Sequence, residues 1–282
     1  MFLALDMVLF SYTRIPILPA QQPRDQAAYV PLLDPAEARV VTTPYTFADQ
    51  SMAVHTANIQ GYAPIVLGSY TAFTQGSGPG EQCPSFEHAE IDLSDTHLLR
   101  LLSVKYIISP WAEAVDLPDY YPRAVWVSRA VSVETSQEAI THARAPDFDP
   151  AQVVYVEGEA AVETASVGHS GQARIVSYET QSVTVEVEST SPGWMMLNDV
   201  WYPGWEASVN GEPTRLYRAN GTFRAVRVPA GHSIVTMEYH NTYLNLGIGI
   251  AVVTLIVMIT AWLTQAIRSE VQPTTPSAQA DS

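Results

Sequence analysis

The stretch from Thr242 to Ile267 reads TYLNLGIGIAVVTLIVMITAWLTQAI and holds no Asp, Glu, Lys or Arg. Crossing ~30 Å of hydrocarbon at ~1.5 Å per helical residue takes about 20 apolar residues. Tyr243 to Leu263 supplies that length, with Tyr243 and Trp262 near its ends, where amphipathic rings favour the lipid–water interface. A buried core helix is the competing reading, but charge-free core helices of this length are uncommon in a chain of 282 residues. The segment 242–267 therefore predicts a transmembrane helix. Strand patterns run up to Tyr239 with no linker, so a folded domain is expected directly against a bilayer.

A second apolar stretch, Met1 to Thr13, ends at Arg14 and is interrupted by Asp6. It is too short to span and lacks the basic start and small-residue cleavage site of a signal peptide. Residues 1–14 are expected to be the end of a membrane helix that starts outside this sequence; a short amphipathic or core helix is the alternative. Residues 268–282, rich in Pro, Ser and Thr, are expected to form a disordered cytoplasmic tail.

The formal charge of −15 makes the polar part acidic and argues against nucleic acid as a partner. Cys83 is the single cysteine, which rules out an intrachain disulfide and a cysteine-based zinc site. Seven histidines are scattered with no i, i+4 pair. The set Glu87, His88, Glu90 and Asp92 reads as a solvated polar face, so no metal site and no cofactor are expected.

The chain divides by pattern. From 29 to 150, the β-rich runs Ala38–Thr43, Val104–Ser109 and Arg123–Ser128 alternate with helix-like stretches at Ile65–Phe73, Ser94–Leu102 and Ser136–Ala145. Several of these strands are too continuously apolar for a one-sided sheet, which predicts a small α/β layer domain. Thr74 to Ser85 is a Gly/Pro/Ser loop whose GSGPG lacks the context of a phosphate-binding loop.

From 151 to 240 the pattern is all-β. In Ser182–Glu188, Val183, Val185 and Val187 share one face and Thr184, Glu186 and Glu188 the other. Further strands are expected at Ala173–Tyr178, Trp194–Asn198, Trp205–Val209, Thr214–Tyr217, Thr222–Val228 and Ser233–Tyr239. Asn210-Gly211 is a type I′ hairpin signal, and Asn220-Gly221-Thr222 and Pro229-Ala230-Gly231 read as turns. The predicted architecture is α+β and membrane-anchored: a small α/β domain, an all-β immunoglobulin-like or jelly-roll sandwich, and one C-terminal transmembrane helix.

The run WYPGWEASVNGEPTRLYRANGTFRAVRVPAGHSIVTMEY, Trp201 to Tyr239, resembles the closing extracytoplasmic segment of YfhO-type bacterial membrane proteins. Gly61–Tyr70, Leu101–Ser109, Tyr121–Val127 and Asp147–Pro150 are similar in the same order. The resemblance implies a multi-spanning protein of the GT-C glycosyltransferase type, which moves a sugar from a polyprenyl-phosphate carrier to an acceptor outside the cytoplasmic membrane. In that class the catalytic carboxylate and most carrier contacts lie in an N-terminal helical bundle. This sequence resembles the C-terminal portion, so no family catalytic residue carries over to it.

Among its own residues, the cluster Trp194, Trp201, Tyr202 and Trp205, with Arg215, Arg218, Arg224 and Arg227 close behind, offers candidate glycan or lipid-phosphate contacts, foremost Trp201, Tyr202, Trp205, Arg218 and Arg224. Aromatic faces stack on sugar rings and guanidinium groups pair bidentately with phosphate. The bland alternative is a tight Tyr-Pro-Gly-Trp turn with tryptophans filling a core. In Thr222–Val228, Arg224, Val226 and Val228 fall on one face and Phe223, Ala225 and Arg227 on the other, so the arginines form no single stripe.

The resulting expectation is an accessory part of a membrane glycosyltransferase acting on cell-envelope glycans, inactive alone, with its domains outside the cytoplasm. Its expected partners are the lipid bilayer, an N-terminal multi-spanning bundle, a polyprenyl-phosphate sugar and an envelope glycan. The alternative is a membrane-anchored glycan-binding or structural envelope module without enzyme activity.

Overall fold

A computed structural model describes residues 36–42, 56–60, 67–75, 91–109, 112–158 and 170–271. The apolar stretch 1–14, the set Glu87, His88 and Glu90, most of the Gly/Pro/Ser loop and the tail from 272 lie outside the described residues. The chain forms two compact units, one ending at Glu238 and one beginning at Tyr239.

In the first unit, β1 (Arg39–Thr42) runs parallel to β2 (Val104–Ser109), and β3 (Ala112–Asp116) adds antiparallel to β2. Among the described residues, three short helices accompany the strands: α1 (Gly68–Gln75), α2 (Thr96–Leu101) and α3 (Ser136–Ala143). Asp95 caps α2, its Oδ1 accepting from the Leu98 N–H at 2.9 Å, which satisfies one of the free amides of the first turn. Thr135 caps α3 in the same way, while Glu138 reaches back to the Glu134 N–H at 3.0 Å in a close relative of the capping box. Leu98, Leu99, Leu102, Val104, Phe73, Ile140 and Phe148 form one buried cluster among these elements.

Two larger sheets make a sandwich. The five-stranded sheet has the order β11-β10-β14-β8-β7, from β7 (Gly171–Tyr178), β8 (Ser182–Ser189), β10 (Trp205–Val209), β11 (Glu212–Thr214) and β14 (Gly231–Tyr239). The six-stranded sheet has the order β4-β9-β13-β12-β6-β5, from β4 (Ala124–Val127), β5 (Arg129–Val133), β6 (Val153–Glu157), β9 (Gly193–Leu197), β12 (Tyr217–Ala219) and β13 (Phe223–Val228). Val183, Val185, Val187, Val235 and Met237 of one sheet pack with Trp126, Met195, Leu197, Val226 and Val228 of the other. The alternation expected in β8 and β13 is therefore the alternation observed. Every residue of β9 is buried, because Trp194 and Met196 enter a second cluster with Ala130, Val154, Val156, Ala219 and Ala225 on the opposite face of the sheet.

The boundary expected near residue 150 does not separate two sheets. β4 and β5, from the expected α/β half, sit at opposite edges of the six-stranded sheet, and β5-α3-β6 is a parallel crossover built into the sandwich. Parallel strands need such a helical crossover, and this one spans the point where the pattern changes. The strand expected at Thr214–Tyr217 is instead a link: β11 ends at Thr214 in one sheet and β12 begins at Tyr217 in the other, with Arg215 and Leu216 crossing between them. Asn210 and Gly211 have φ of 54° and 84°, the left-handed pair a two-residue type I′ hairpin requires, and join Val209 to Glu212 in register.

The second unit is α4 (Thr242–Val271), a helix of 30 residues that runs past the end expected at Ile267. Asn241 caps it, accepting from the Leu244 N–H at 2.9 Å. Within it, Leu246–Gln265 has a mean hydropathy of 2.5 and is long and apolar enough to cross a membrane.

Candidate functional site

Four of the five foremost sequence candidates separate into two pairs, and Tyr202 joins neither. Arg224 and Trp205 go inward. Arg224 is 3% exposed, and its guanidinium carbon lies 3.9 Å from the Trp205 ring centroid. Its Nη2 donates to Asp199 Oδ2 at 3.0 Å. Asp199 also accepts from Arg39 of β1 and from Arg123, just before β4, both through Oδ1. The Arg123 guanidinium is fully buried and lies 4.2 Å from the Tyr178 ring centroid.

Burial alone would push the Asp199 carboxyl up, but the charges of Arg123, Arg39 and Arg224 outweigh it and hold the group down at about 2. One aspartate thus joins the three-stranded sheet, the edge strand β4 and the central strand β13. Asn198 extends the junction, its Nδ2 donating to the Leu101 carbonyl and to Ser103 Oγ. Asp199, Arg39 and Arg123 were not singled out from the sequence; their positions, 39, 123, 199 and 224, share no local pattern. The expectation that Arg224 faces a ligand is corrected by this burial, because its charge is spent on Asp199.

Trp201 and Arg218 stay at the surface and come together. They line a cleft of about 320 Å³ with Glu134, Glu157, Gly158, Arg215, Leu216 and Tyr217. The Arg218 guanidinium carbon lies 4.3 Å from the Trp201 ring centroid, and its Nη1 donates to Ser136 Oγ at 2.8 Å and pairs with Glu157 Oε2 at 3.3 Å. Ser136 in turn donates to Glu157 Oε2 at 2.8 Å, so the head of α3 holds both charges in place. The Arg215 guanidinium carbon lies 4.7 Å from the Tyr217 ring centroid. Tyr202 is 44% exposed in the turn before β10 and does not line this cleft.

The chain brings these groups together through its connections. Glu134 follows β5, Glu157 and Gly158 end β6, Trp201 lies between β9 and β10, and Arg215 lies between β11 and β12. The cleft thus opens at the carboxyl ends of the parallel pair β5 and β6, beside the start of the crossover helix.

Residues 139–251, from α3 into α4, match the family model described as bacterial membrane protein YfhO. That stretch is similar to YfhO-type bacterial membrane proteins. No curated protein and no solved structure matches it. The YfhO match covers Glu157, Trp201, Arg215 and Arg218 of the cleft, and Asp199 and Arg224 of the buried junction. Glu134, Arg39 and Arg123 lie before it. The apolar length of α4 agrees with the membrane character of the YfhO family.

Proposed function

We propose that this chain is the acceptor-positioning part of a membrane glycosyltransferase that uses a polyprenyl-phosphate sugar outside the cytoplasm. The observation that carries the reading is the chain order around the YfhO match: a sandwich bearing a mixed aromatic and charged cleft, then a helix of bilayer length that begins inside the match and runs past it. Only His240 and Asn241 separate β14 from α4. In this reading the sandwich acts on substrates held at a lipid surface. Transfer from a lipid carrier needs a carboxylate base and a pocket for the polyprenyl phosphate among facing membrane helices. This reading assigns those to a helical bundle and leaves the sandwich a positional role.

The test is made in the native bacterium. Deleting the coding sequence should remove one sugar substituent from the envelope glycans, and the wild-type gene should restore it. The purified chain, given radiolabelled polyprenyl-phosphate sugar in detergent, should transfer none. Unchanged envelope glycans after deletion, or turnover by the chain alone, would overturn the reading. Orientation is checked separately: an impermeant thiol reagent should label Ser170→Cys in intact cells and leave Ser277→Cys untouched.

A further inference from the structure

We propose that the Trp201–Arg218 cleft is a subsite for a neutral sugar ring, gripped between the Arg215 guanidinium and the Glu134 carboxylate. This deepens the acceptor-positioning reading and rests on it. The argument starts from which charges the fold has already used. Arg218 is committed to Ser136 and Glu157 and stacked on Trp201. Arg215 is not. Its side chain is exposed, and among the described residues no carboxylate stands within ion-pair distance of it. Glu134 is likewise exposed, its backbone N–H bound to Glu138 and its carboxylate in no ion pair among the described residues.

The cleft therefore offers one open donor fork and one open acceptor, beside a paired Arg218 and Glu157 that cancel. Its formal charge is zero. A phosphate or carboxylate would meet Arg215 but face Glu134 and Glu157; an ammonium would meet the carboxylates but face two arginines. A sugar hydroxyl both donates and accepts, so adjacent hydroxyls can satisfy a guanidinium and a carboxylate together. Trp201 and Tyr217, each with a guanidinium over its ring, add apolar lining to the cleft.

The cleft lies at the carboxyl ends of the parallel pair β5 and β6, beside Gly158, whose φ is 88°. The volume of about 320 Å³ is at the lower end of small-molecule pockets, which suits one or two sugar units rather than a long chain.

The test uses the full chain in detergent and saturation-transfer NMR with five probes: the methyl β-glycosides of glucose, galactose and N-acetylglucosamine, glucose 1-phosphate as the anionic counterpart, and glucosamine as the cationic one. At least one neutral glycoside should bind saturably, and both Arg215→Ala and Glu134→Gln should weaken it tenfold or more with the melting temperature unchanged. Arg174→Ala, in the other sheet, should leave it unaltered. A diazirine-bearing version of the bound glycoside should crosslink to peptides holding 134–158 or 201–218, a readout that needs no variant. Binding of only the charged probes, binding indifferent to both substitutions, crosslinks elsewhere, or no binding of any probe would overturn the proposal. Such a failure leaves the deletion phenotype of the preceding section to stand or fall by itself.

Discussion

Arg224 meets Asp199 and Trp205 at once, with its Nη2 3.0 Å from the carboxylate and its guanidinium carbon 3.9 Å from the indole centroid. The contact fixes where β13 sits relative to the chain leaving β9, and it works only while Asp199 is ionised. Asp199→Asn would leave the buried guanidinium groups of Arg123 and Arg224 and the partly buried one of Arg39 facing a neutral amide. Breaking a buried ion pair by removing one partner costs about 3–5 kcal/mol. Urea denaturation of Asp199→Asn should show a loss of that order, whereas Glu186→Gln, whose partners Arg174 and His232 are exposed, should stay within about 1 kcal/mol.

The same carboxylate sets an acid limit. Its folded value of about 2 lies below its unfolded value of about 3.9, so it contributes stability above the unfolded value and loses it as pH falls through the folded one. A shift of that size corresponds to about 2–3 kcal/mol. Stability measured by denaturant titration should decline between about pH 4 and pH 2, and the decline should be shallower in Asp199→Asn.

Trp126 occupies the space that side chains at two glycines would need. A Cβ on Gly171 would stand 2.4 Å from the indole Cδ2, and one on Gly193 2.6 Å from its Nε1. Neither glycine has an unusual backbone, so the cost of alanine is overpacking, on the order of 1–3 kcal/mol at either site. Combining Gly171→Ala with Trp126→Leu should cost less than the sum of the two, and a double-mutant cycle on melting curves reads that coupling.

At Gly221 the backbone and the packing act together. Its φ is 78°, and a Cβ would stand 2.3 Å from Ile140 Cγ1 and 2.6 Å from the Ser136 carbonyl oxygen. Gly221→Ala should therefore destabilise more than Gly211→Ala, where φ is also positive but the space is open. Thermal unfolding of the two variants side by side tests that order.

In β8, Val185→Ala should cost about 1–3 kcal/mol and Thr184→Ala no more than about 0.5. Val185 is fully buried between the sheets and Thr184 is on the other face. Equal losses in denaturant titrations would mean that both faces of the strand are buried.

What could be read from the chain was what repeats locally. The period of two in Val183, Val185 and Val187, the Asn210-Gly211 turn and the charge-free run after Thr242 each express a rule acting over a few neighbours. The sheet order could not be read that way. β5 and β6 are ordinary short apolar segments, and nothing near Arg129 or Val153 says that they pair in parallel across α3. The link at Arg215-Leu216 passed for part of a strand because an apolar and charged alternation looks the same whether the chain continues in one sheet or crosses to another. Among the cleft residues, Trp201, Arg215 and Arg218 belong to a cluster recognisable by residue type, while Glu134 has no such signal and is identified by what the other charges already bind. Asp199 escaped notice because its partners lie up to 160 positions away.

The edges of the six-stranded sheet carry a practical consequence. Both outer strands, β4 and β5, come from a segment of ten residues, Ala124–Val133, that precedes the rest of the sheet in the chain. A fragment cut at residue 151 to isolate the sandwich would lose both at once and bare β9 on one side and β6 on the other. Unpaired strands of that kind recruit other chains. Such a fragment should precipitate or form oligomers when expressed, and one beginning before Arg123 keeps both borders closed. The ten residues act as a pair of bookends, and any domain swap or truncation in this protein must carry them along.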